Sequence, residues 1–211
     1  MKKQLFLQGV GHVARHRFLP LDQGLRQIVF QYNDFADHFG RCNRAQRLPD
    51  NRLHGGECVL HAVVQLFIQH ALAQGRGAIV LVPEISLTPQ TVERFKARFA
   101  PLYGEQAVVS LHSGMTNPQR LKSWLAAHSG AARIVLGTRM AVFASLPGLR
   151  IIVVDEEHDP SYKQQEGARY SARDLAIWRG REQGAKVLLG SATPSLESWH
   201  ASRPPTPEDP E

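Results

Sequence analysis

Short apolar runs, each followed by polar residues or glycine, recur between residues 78 and 189. Each run has the length of a strand and is rich in valine, isoleucine and leucine, with little polar alternation. A strand that is buried on both faces of a parallel sheet has this pattern. The runs are 78–82, 107–111, 133–136, the run that ends at Val154, and 186–189.

Stretches with helical spacing separate these runs and begin with recognisable signals. Thr88, Asn117 and Thr193 each precede a proline, and each is predicted to cap a helix with proline at its first position. Ser171 is predicted to cap a further helix. Strands and helices in alternation require right-handed crossovers that cover both faces of a parallel sheet. The predicted fold is therefore α/β, a parallel sheet flanked by helices in one RecA-like (P-loop NTPase) lobe.

An acidic cluster, Asp155-Glu156-Glu157-His158, follows one of the predicted strands directly. Ligands bind at the carboxyl ends of the strands in open parallel sheets, and acid pairs there hold a hydrated magnesium ion and orient a water. The pattern predicts the second nucleotide-hydrolysis motif of a helicase or translocase ATPase. Taken alone, the tetrapeptide fits a solvated turn after a buried strand equally well.

Residues 74–199 carry five motifs in the order and spacing of a known family. The motifs are LVPEISLTPQ at 81–90, LHSGM at 111–115, GTRMAVF at 137–143, DEEHDPSYKQQEGARYSARDLA at 155–176 and GSATPSLES at 190–198. Through them the chain resembles the primosomal replication-restart DNA helicases, the PriA family of superfamily 2. Because the motifs occur as an ordered set, the resemblance is specific. It implies an ATP-dependent 3′–5′ DNA helicase in the cytoplasm.

The resemblance implies a nucleotide site that uses ATP and magnesium. Asp155 would hold the magnesium ion through water, and Glu156 would polarise the water that attacks the terminal phosphate. His158, Ser191 and Thr193 would relay the state of the nucleotide towards the DNA. For Ser191 and Thr193, helix capping is the alternative role.

The resemblance also implies DNA contacts, first in an aromatic-rich loop at 159–170. Tyr162 and Tyr170 would stack on bases of single-stranded DNA, while Lys163 and Arg169 would contact phosphates. The alternative is a surface tyrosine pair that packs on its own lobe. Three further loops would touch the sugar-phosphate chain. Their residues are Pro83, Gly114, Thr138 and Arg139.

The chain departs from the family at the phosphate-binding loop. No G-x-x-x-x-G-K-[ST] string occurs in the 211 residues. The expected position, 53–60, has two glycines but lacks the lysine and the hydroxyl, and Glu57 adds a negative charge where phosphates would lie. We therefore expect tight ATP binding to be lost.

Three functional classes follow from these observations. The first is a truncated or degenerate helicase lobe, without the second lobe and without independent ATPase or helicase activity. The second is a non-catalytic module that binds single-stranded DNA or a primosome protein. The third is a metal-dependent hydrolase that uses residues 155–158 as ligands, for which a second ligand cluster is missing from the sequence.

Composition and motifs divide the chain into three predicted parts. Residues 1–56 form an N-terminal segment without family resemblance, 57–200 the incomplete RecA-like lobe, and 201–211 a proline-rich disordered tail. One strand is predicted within 26–32 and a helix at 60–74. The net charge of +6 arises mainly in residues 1–56, which carry 9 Lys and Arg against 4 acids, so DNA binding must rest on the motifs.

Cysteine content and hydropathy limit the remaining possibilities. Cys42 and Cys58 are the only cysteines and form no zinc pattern, so no zinc is expected and reduced thiols in a cytoplasmic protein are predicted. The first residues are too soon polar for a signal peptide, and no apolar run reaches membrane-spanning length.

Overall fold

A parallel sheet of six strands forms the centre of the part of the chain that the computed structural model describes, residues 27–31 and 57–202. The strands are β1 (Gln27–Gln31), β2 (Gly77–Leu81), β3 (Val108–Leu111), β4 (Ile134–Gly137), β5 (Leu149–Val154) and β8 (Lys186–Ser191). Their order in the sheet is β1-β8-β5-β2-β4-β3, and every neighbouring pair is parallel. The predicted α/β fold with a parallel sheet is confirmed.

Helices cover both faces of this sheet. They are α1 (Glu57–Ala73), α2 (Pro89–Tyr103), α3 (Asn117–His128), α4 (Ala172–Gln183) and α5 (Leu196–Ser202). Short 3₁₀ turns occupy Glu84–Ser86, Glu105–Ala107, Arg139–Phe143 and Pro160–Tyr162. A two-stranded antiparallel ribbon, β6 (Lys163–Gln164) and β7 (Tyr170–Ser171), stands outside the main sheet.

Alternate residues of β2 show why the apolar runs are continuous. Ala78 and Val80 pack in a cluster with α1 and α2, whereas Ile79 and Leu81 pack in a second cluster with α3 and α4. Since successive side chains of a strand point to opposite faces, a strand covered on both sides must be apolar at every position. All five residues of β2 are accordingly buried.

Two of the four predicted helix caps are confirmed and two are wrong. Thr88 and Ser171 accept hydrogen bonds from backbone N–H groups three residues on, at 3.2 and 3.3 Å. Helix α3 is capped by Thr116 rather than Asn117, which lies inside its first turn. Helix α5 begins after Ser195, whose hydroxyl accepts from the backbone of residue 198 at 3.3 Å, so Thr193 is no cap.

The predicted strand at 26–32 and the predicted helix at 60–74 are both observed, as β1 and α1. Most of the N-terminal segment, including residues 53–56 of the expected phosphate-binding position, and the residues after 202 lie outside the described residues. The three-part division of the chain therefore stays a prediction. No helix among residues 57–202 combines the length and apolar content that a membrane span needs.

Candidate nucleotide-hydrolysis and DNA-binding site

The loops after β5 and β8 bring the predicted nucleotide residues together at the carboxyl edge of the sheet. His158 Nδ1 lies 2.6 Å from Ser191 Oγ, and its Nε2 lies 3.4 Å from Thr193 Oγ1. A carboxylate oxygen of Glu156 lies 3.6 Å from the same Nδ1. Because β5 and β8 are adjacent parallel strands, residues 33 and 35 positions apart in sequence meet here. The imidazole thus connects residues 155–158, here called the acidic turn, to the loop at 191–193.

The acidic turn has an unusual backbone at Glu156. Its φ of 46° is the only positive φ of a non-glycine residue within 27–31 and 57–202. The turn is closed by a hydrogen bond from the Asp159 N–H to the Glu156 carbonyl oxygen at 2.8 Å, and the Glu156 N–H donates to Asp155 Oδ1 at 3.2 Å. Such a conformation costs about 1–3 kcal/mol and occurs where the surrounding structure enforces it, often at functional sites.

The chemistry of the two carboxylates fits a hydrated magnesium ion. Magnesium takes hard oxygen ligands and usually keeps several waters, so one or two protein carboxylates are sufficient. Asp155 is half-buried and lines a small cleft together with Thr91, Phe95 and four valines. Within the described residues, no cluster of three or more His, Cys, Asp or Glu side chains has the geometry of a metal site.

Glu157 has contacts that the sequence analysis did not predict, since it was named there only among the possible ligands of a metal-dependent hydrolase. Its side chain is fully buried and accepts a hydrogen bond from the Ser195 N–H at 2.6 Å. It also accepts from the Ser195 and Ser198 hydroxyls at 3.1 and 2.9 Å, and from Arg173 at 3.1 Å. Burial alone would raise the pKa of this carboxyl group, but the hydrogen bonds outweigh burial and lower it. Glu157 therefore joins the acidic turn to α4 and α5.

The prediction for Tyr162 requires a correction, since this residue does not lie on the surface. Only 2% of its side chain is exposed, and its hydroxyl donates to the Asp155 carbonyl oxygen at 2.6 Å. Burial raises the pKa of this phenol strongly, and the charges of Asp155, Asp159 and Glu156 add to the effect. A ring enclosed in this way presents no face to a base. The prediction that Tyr162 stacks on DNA is therefore wrong. The hydrogen bond of Tyr162 instead joins the aromatic-rich loop to the acidic turn.

Arg139, predicted to contact DNA, is partly exposed and also contacts residues of two other loops. Its guanidinium donates to the Ser161 carbonyl oxygen at 3.0 Å and lies 4.0 Å from the Glu84 carboxylate. Ser113 donates to the same carboxylate at 3.5 Å. The loops after β2, β3 and β4 and the turn at 160–162 therefore meet around one arginine. Of the other predicted DNA residues in these loops, Gly114 is exposed, whereas Pro83 and Thr138 are buried.

The remaining predicted DNA residues lie on the ribbon β6–β7 and its connection. Lys163 and Arg169 are exposed, and neither forms an ion pair with any other described residue. Tyr170 is half-buried because its ring packs edge-to-face against Phe143, with 5.1 Å between the ring centroids and 73° between the planes. The lone tyrosine on this ribbon thus has an aromatic neighbour from a different loop.

Arg179 of α4 is a residue that the sequence analysis did not single out. Its guanidinium donates to the carbonyl oxygens of Val142 and Ala144, which flank Phe143. Burial lowers the pKa of this arginine. Since the partners are backbone atoms 35 and 37 residues away, no motif or periodicity in the sequence could have revealed them.

Comparison with curated proteins finds sequence relatives of this chain. The replication restart protein PriA of Haemophilus influenzae is 52% identical over 132 residues, which are 63% of this chain and 17% of that protein. PriA of Bacillus subtilis is 49% identical over 132 residues, covering 63% of this chain and 16% of the relative. The chain therefore spans about one sixth of the length of these relatives, and the predicted resemblance to the replication-restart helicases is confirmed.

The chain was also compared with a solved structure and with a family model. The C-terminal domain of Saccharomyces cerevisiae Dbp5 is 11% identical, with a TM-score of 0.43, and the match covers 83% of this chain and 80% of that one. A family model described as DEAD/DEAH box helicase matches residues 57–201. The chain belongs to the DEAD/DEAH box helicase family.

Proposed function

We propose that this chain supplies the nucleotide-hydrolysis turn and the DNA-sensing loops of a replication-restart DNA helicase, acting on DNA in the cytoplasm. The observation that carries the proposal is the contact chain in which His158 lies against Glu156 on one side and Ser191 and Thr193 on the other. Phosphoryl transfer depends mostly on positioning and charge neutralisation, so a water-polarising acid must be held in place. His158 is placed to do this for Glu156.

Each residue of the acidic turn has a role in this proposal. Asp155 would hold a magnesium ion through water, and Glu156 would accept a hydrogen bond from the attacking water and orient it. When bound, the ion would neutralise charge on the phosphates. Asp155 is also joined through its carbonyl oxygen to Tyr162, so a displacement of the aromatic-rich loop reaches the acidic turn. ATP hydrolysis and DNA contact are thereby linked.

The chain by itself is proposed to lack ATPase activity. A phosphate-binding loop needs its lysine to reach the β- and γ-phosphates and its hydroxyl to reach magnesium, and the 211 residues contain no such loop. Glu156 can orient a water only if the phosphate beside it is bound. The acidic turn is therefore necessary for hydrolysis but not sufficient.

A DNA-stimulated ATPase assay tests this proposal. We expect no ATP hydrolysis above background by the purified chain, with or without single-stranded DNA, and no binding of a fluorescent ATP analogue. Glu156→Gln is the matched control, since it keeps the shape of the side chain and removes its charge. Hydrolysis that DNA stimulates and that Glu156→Gln abolishes would show that another constellation binds the phosphates.

A non-catalytic binding module is the second candidate function. The exposed cations Lys163 and Arg169, without ion-pair partners among the described residues, favour it because such charges are available to phosphates. In this case the chain occupies single-stranded DNA or a primosome protein without turnover. Affinity for single-stranded DNA that falls as salt rises, in the absence of ATPase activity, distinguishes this function from an inert lobe.

A further inference from the structure

Glu157 contacts the chain on both sides of residues 191–194, here called the relay segment. Its backbone N–H donates to the Gly190 carbonyl oxygen at 2.9 Å, immediately before the segment. Its carboxylate accepts from the Ser195 N–H at 2.6 Å, immediately after the segment. One residue of the acidic turn therefore fixes both ends of the segment that carries the two hydroxyl partners of His158.

The contacts of His158 depend closely on where the relay segment lies. The Ser191 hydroxyl, 2.6 Å from His158 Nδ1, also accepts from the Thr193 N–H at 3.1 Å, so the segment moves as a unit. The contact between Thr193 Oγ1 and His158 Nε2 is already long, at 3.4 Å. Hydrogen bonds weaken as the distance between donor and acceptor grows beyond the usual range. A small displacement of the segment would therefore weaken both contacts of the imidazole.

The carboxylate of Glu157 is itself held firmly. It is fully buried, and the oxygen that does not face the Ser195 N–H accepts from two hydroxyls and from Arg173. The same Arg173 nitrogen donates to Ser195 Oγ at 2.9 Å, so Ser195 is bonded to both members of the ion pair. Hydrogen bonds to charged groups are stronger than neutral ones, and they are stronger still away from water. The end of the relay segment is thus tied to a rigid, charged anchor.

We propose that Glu157 is a positioning residue of the nucleotide site, which with Arg173 holds the relay segment at the distance where it contacts His158. This inference rests on the proposed function, in which His158 holds Glu156 in place. Glu157 touches neither phosphate nor DNA in this role and acts only through the relay segment. The acidic turn then has two parallel links to that segment, one through the imidazole and one through the buried carboxylate.

NMR spectra of the His158 ring test this role without nucleotide or DNA. Spectra that correlate ring protons with ring nitrogens report the hydrogen bond of Nδ1, and His158→Asn identifies these signals among those of the 10 histidines. Ser191→Ala removes the partner of Nδ1 and defines the shift of a ring without that contact. We expect Glu157→Gln to move the His158 nitrogen signals in the same direction and by a comparable amount.

Glutamine should release the relay segment although it has the shape of glutamate. An amide has one acceptor oxygen where the carboxylate has two. Either the Ser195 N–H or the donors of Ser198 and Arg173 must then face an NH2 group. The double variant Glu157→Gln with Ser191→Ala should shift the His158 signals no further than Ser191→Ala alone, because both changes remove the same contact.

Ser198→Ala is the second variant, for the case that Glu157→Gln does not fold. It removes one hydrogen bond to the Glu157 carboxylate and leaves no charge unpaired. We expect a smaller shift of the His158 signals in the same direction, because the other contacts of the carboxylate remain.

Two controls separate positioning from a general loss of stability. Asp174→Asn removes the charge of the other carboxylate that contacts Arg173, which is exposed, and should leave the His158 signals in place. Thr116→Ala removes the cap of α3 next to β3, which three strands separate from β8. This variant should lower stability without a shift of the signals. Thermal melts show which variants are folded and how far each is destabilised.

The outcomes separate this inference from the proposed function. If folded Glu157→Gln is destabilised but keeps the wild-type His158 signals, Glu157 contributes only to stability and the inference is wrong. If Glu157→Gln does not fold, unchanged signals in Ser198→Ala have the same meaning. A shift in Thr116→Ala as large as that in Glu157→Gln also overturns the inference, because the effect is then not local.

Two further results bear on the proposed function. If Ser191→Ala itself causes no shift, the contact between His158 and Ser191 is absent, and the proposed function falls together with the inference. ATP hydrolysis by the chain would contradict its proposed lack of activity but not the inference, since the spectra involve no nucleotide.

Discussion

At the scale of single residues, the acidic turn separates four neighbouring polar side chains into different environments. Asp155 lines the cleft, Glu156 and His158 form the contact chain to Ser191, and Glu157 is buried. Adjacent positions alternate in this way because the turn leaves a buried strand, so one side chain points back into the core. A buried carboxylate is retained only when hydrogen bonds replace its lost hydration.

Removal of the Glu157 carboxylate is expected to destabilise the fold. Glu157→Ala leaves Arg173, Ser195 and Ser198 without their common acceptor, and the loss of one partner from a buried ion pair costs about 3–5 kcal/mol. We expect the lower end of this range, because Arg173 keeps its contact with Asp174 at 2.9 Å. Urea denaturation measures the free energy of unfolding. Glu182→Ala, an exposed acid of α4, is the control and should change it by less than about 0.5 kcal/mol; equal effects of the two variants would contradict the role of Glu157.

The lowered pKa of Glu157 predicts how its contribution depends on pH. The folded protein holds this carboxyl group deprotonated to lower pH than the unfolded chain, whose pKa is close to the ordinary value of 4.5. The stabilisation is therefore fully present above about pH 4.5 and is lost as the pH falls through the lower pKa of the folded state. The difference in unfolding free energy between wild type and Glu157→Gln should shrink on acidification from pH 7 to pH 3. A difference that stays constant would mean that the charge of Glu157 contributes nothing.

At the scale of elements, the start of α3 shows how backbone conformation selects a cap. Thr116 has an extended conformation, with φ of −65° and ψ of 157°, and its hydroxyl accepts from the Gln119 N–H. The Gln119 side chain accepts in return from the Thr116 N–H at 3.0 Å, which completes a capping box. Asn117 also has a capping side chain, but it is already helical. Only the residue with the extended backbone can reach the free N–H groups of the first turn.

Replacement of these two residues distinguishes the two assignments. Thr116→Ala is expected to lower the free energy of unfolding by about 1 kcal/mol, because it leaves a backbone N–H of α3 without its partner. Asn117→Ala is the matched control at the next position and should have an effect of less than about 0.5 kcal/mol. Thermal or urea denaturation of both variants measures the difference. A larger loss of unfolding free energy for Asn117→Ala than for Thr116→Ala would mean that Asn117, the residue predicted from the sequence, caps the helix.

At the scale of the whole molecule, helix α4 packs tightly against β8 at Gly180. A Cβ added there would overlap Val187 Cγ2 of β8 and lie 3.1 Å from the Ala185 carbonyl oxygen. Val187 is β-branched and has little freedom to turn away. The absence of a side chain at Gly180 therefore sets the position of α4, and with it the position of Arg173 and Arg179, which hold the functional loops.

Gly180→Ala tests this close approach. Alanine favours a helix over glycine by about 1 kcal/mol, whereas overpacking of a tight contact costs about 1–3 kcal/mol. We expect the cost of overpacking to exceed the gain in helix propensity, so the variant should be less stable than wild type. Arg181→Ala, the exposed neighbour on the same helix, should be close to neutral. If Gly180→Ala stabilised the protein, α4 and β8 would have to lie further apart than this structure shows.

The sequence by itself determined the strands of the main sheet and the edge of the sheet at which the candidate nucleotide residues lie. Strands covered on both faces must be apolar throughout, so the runs that become β2, β4 and β5 could be located without a structure. The polar residues that follow such runs must lie at the carboxyl edge of a parallel sheet. Local pattern was sufficient for these features because each depends on residues close together in the chain.

Only the tertiary structure decided which polar groups are partners. The burial of Tyr162, the contacts of Glu157 and the direction of Arg139 depend on residues 7, 16–41 and 22 positions away. The position of β1 beside β8 likewise depends on the order of the strands. A charged or aromatic residue in a motif has the same identity whether it faces solvent or is enclosed. Its environment is set by the elements that pack over it, and that packing is a property of the folded chain.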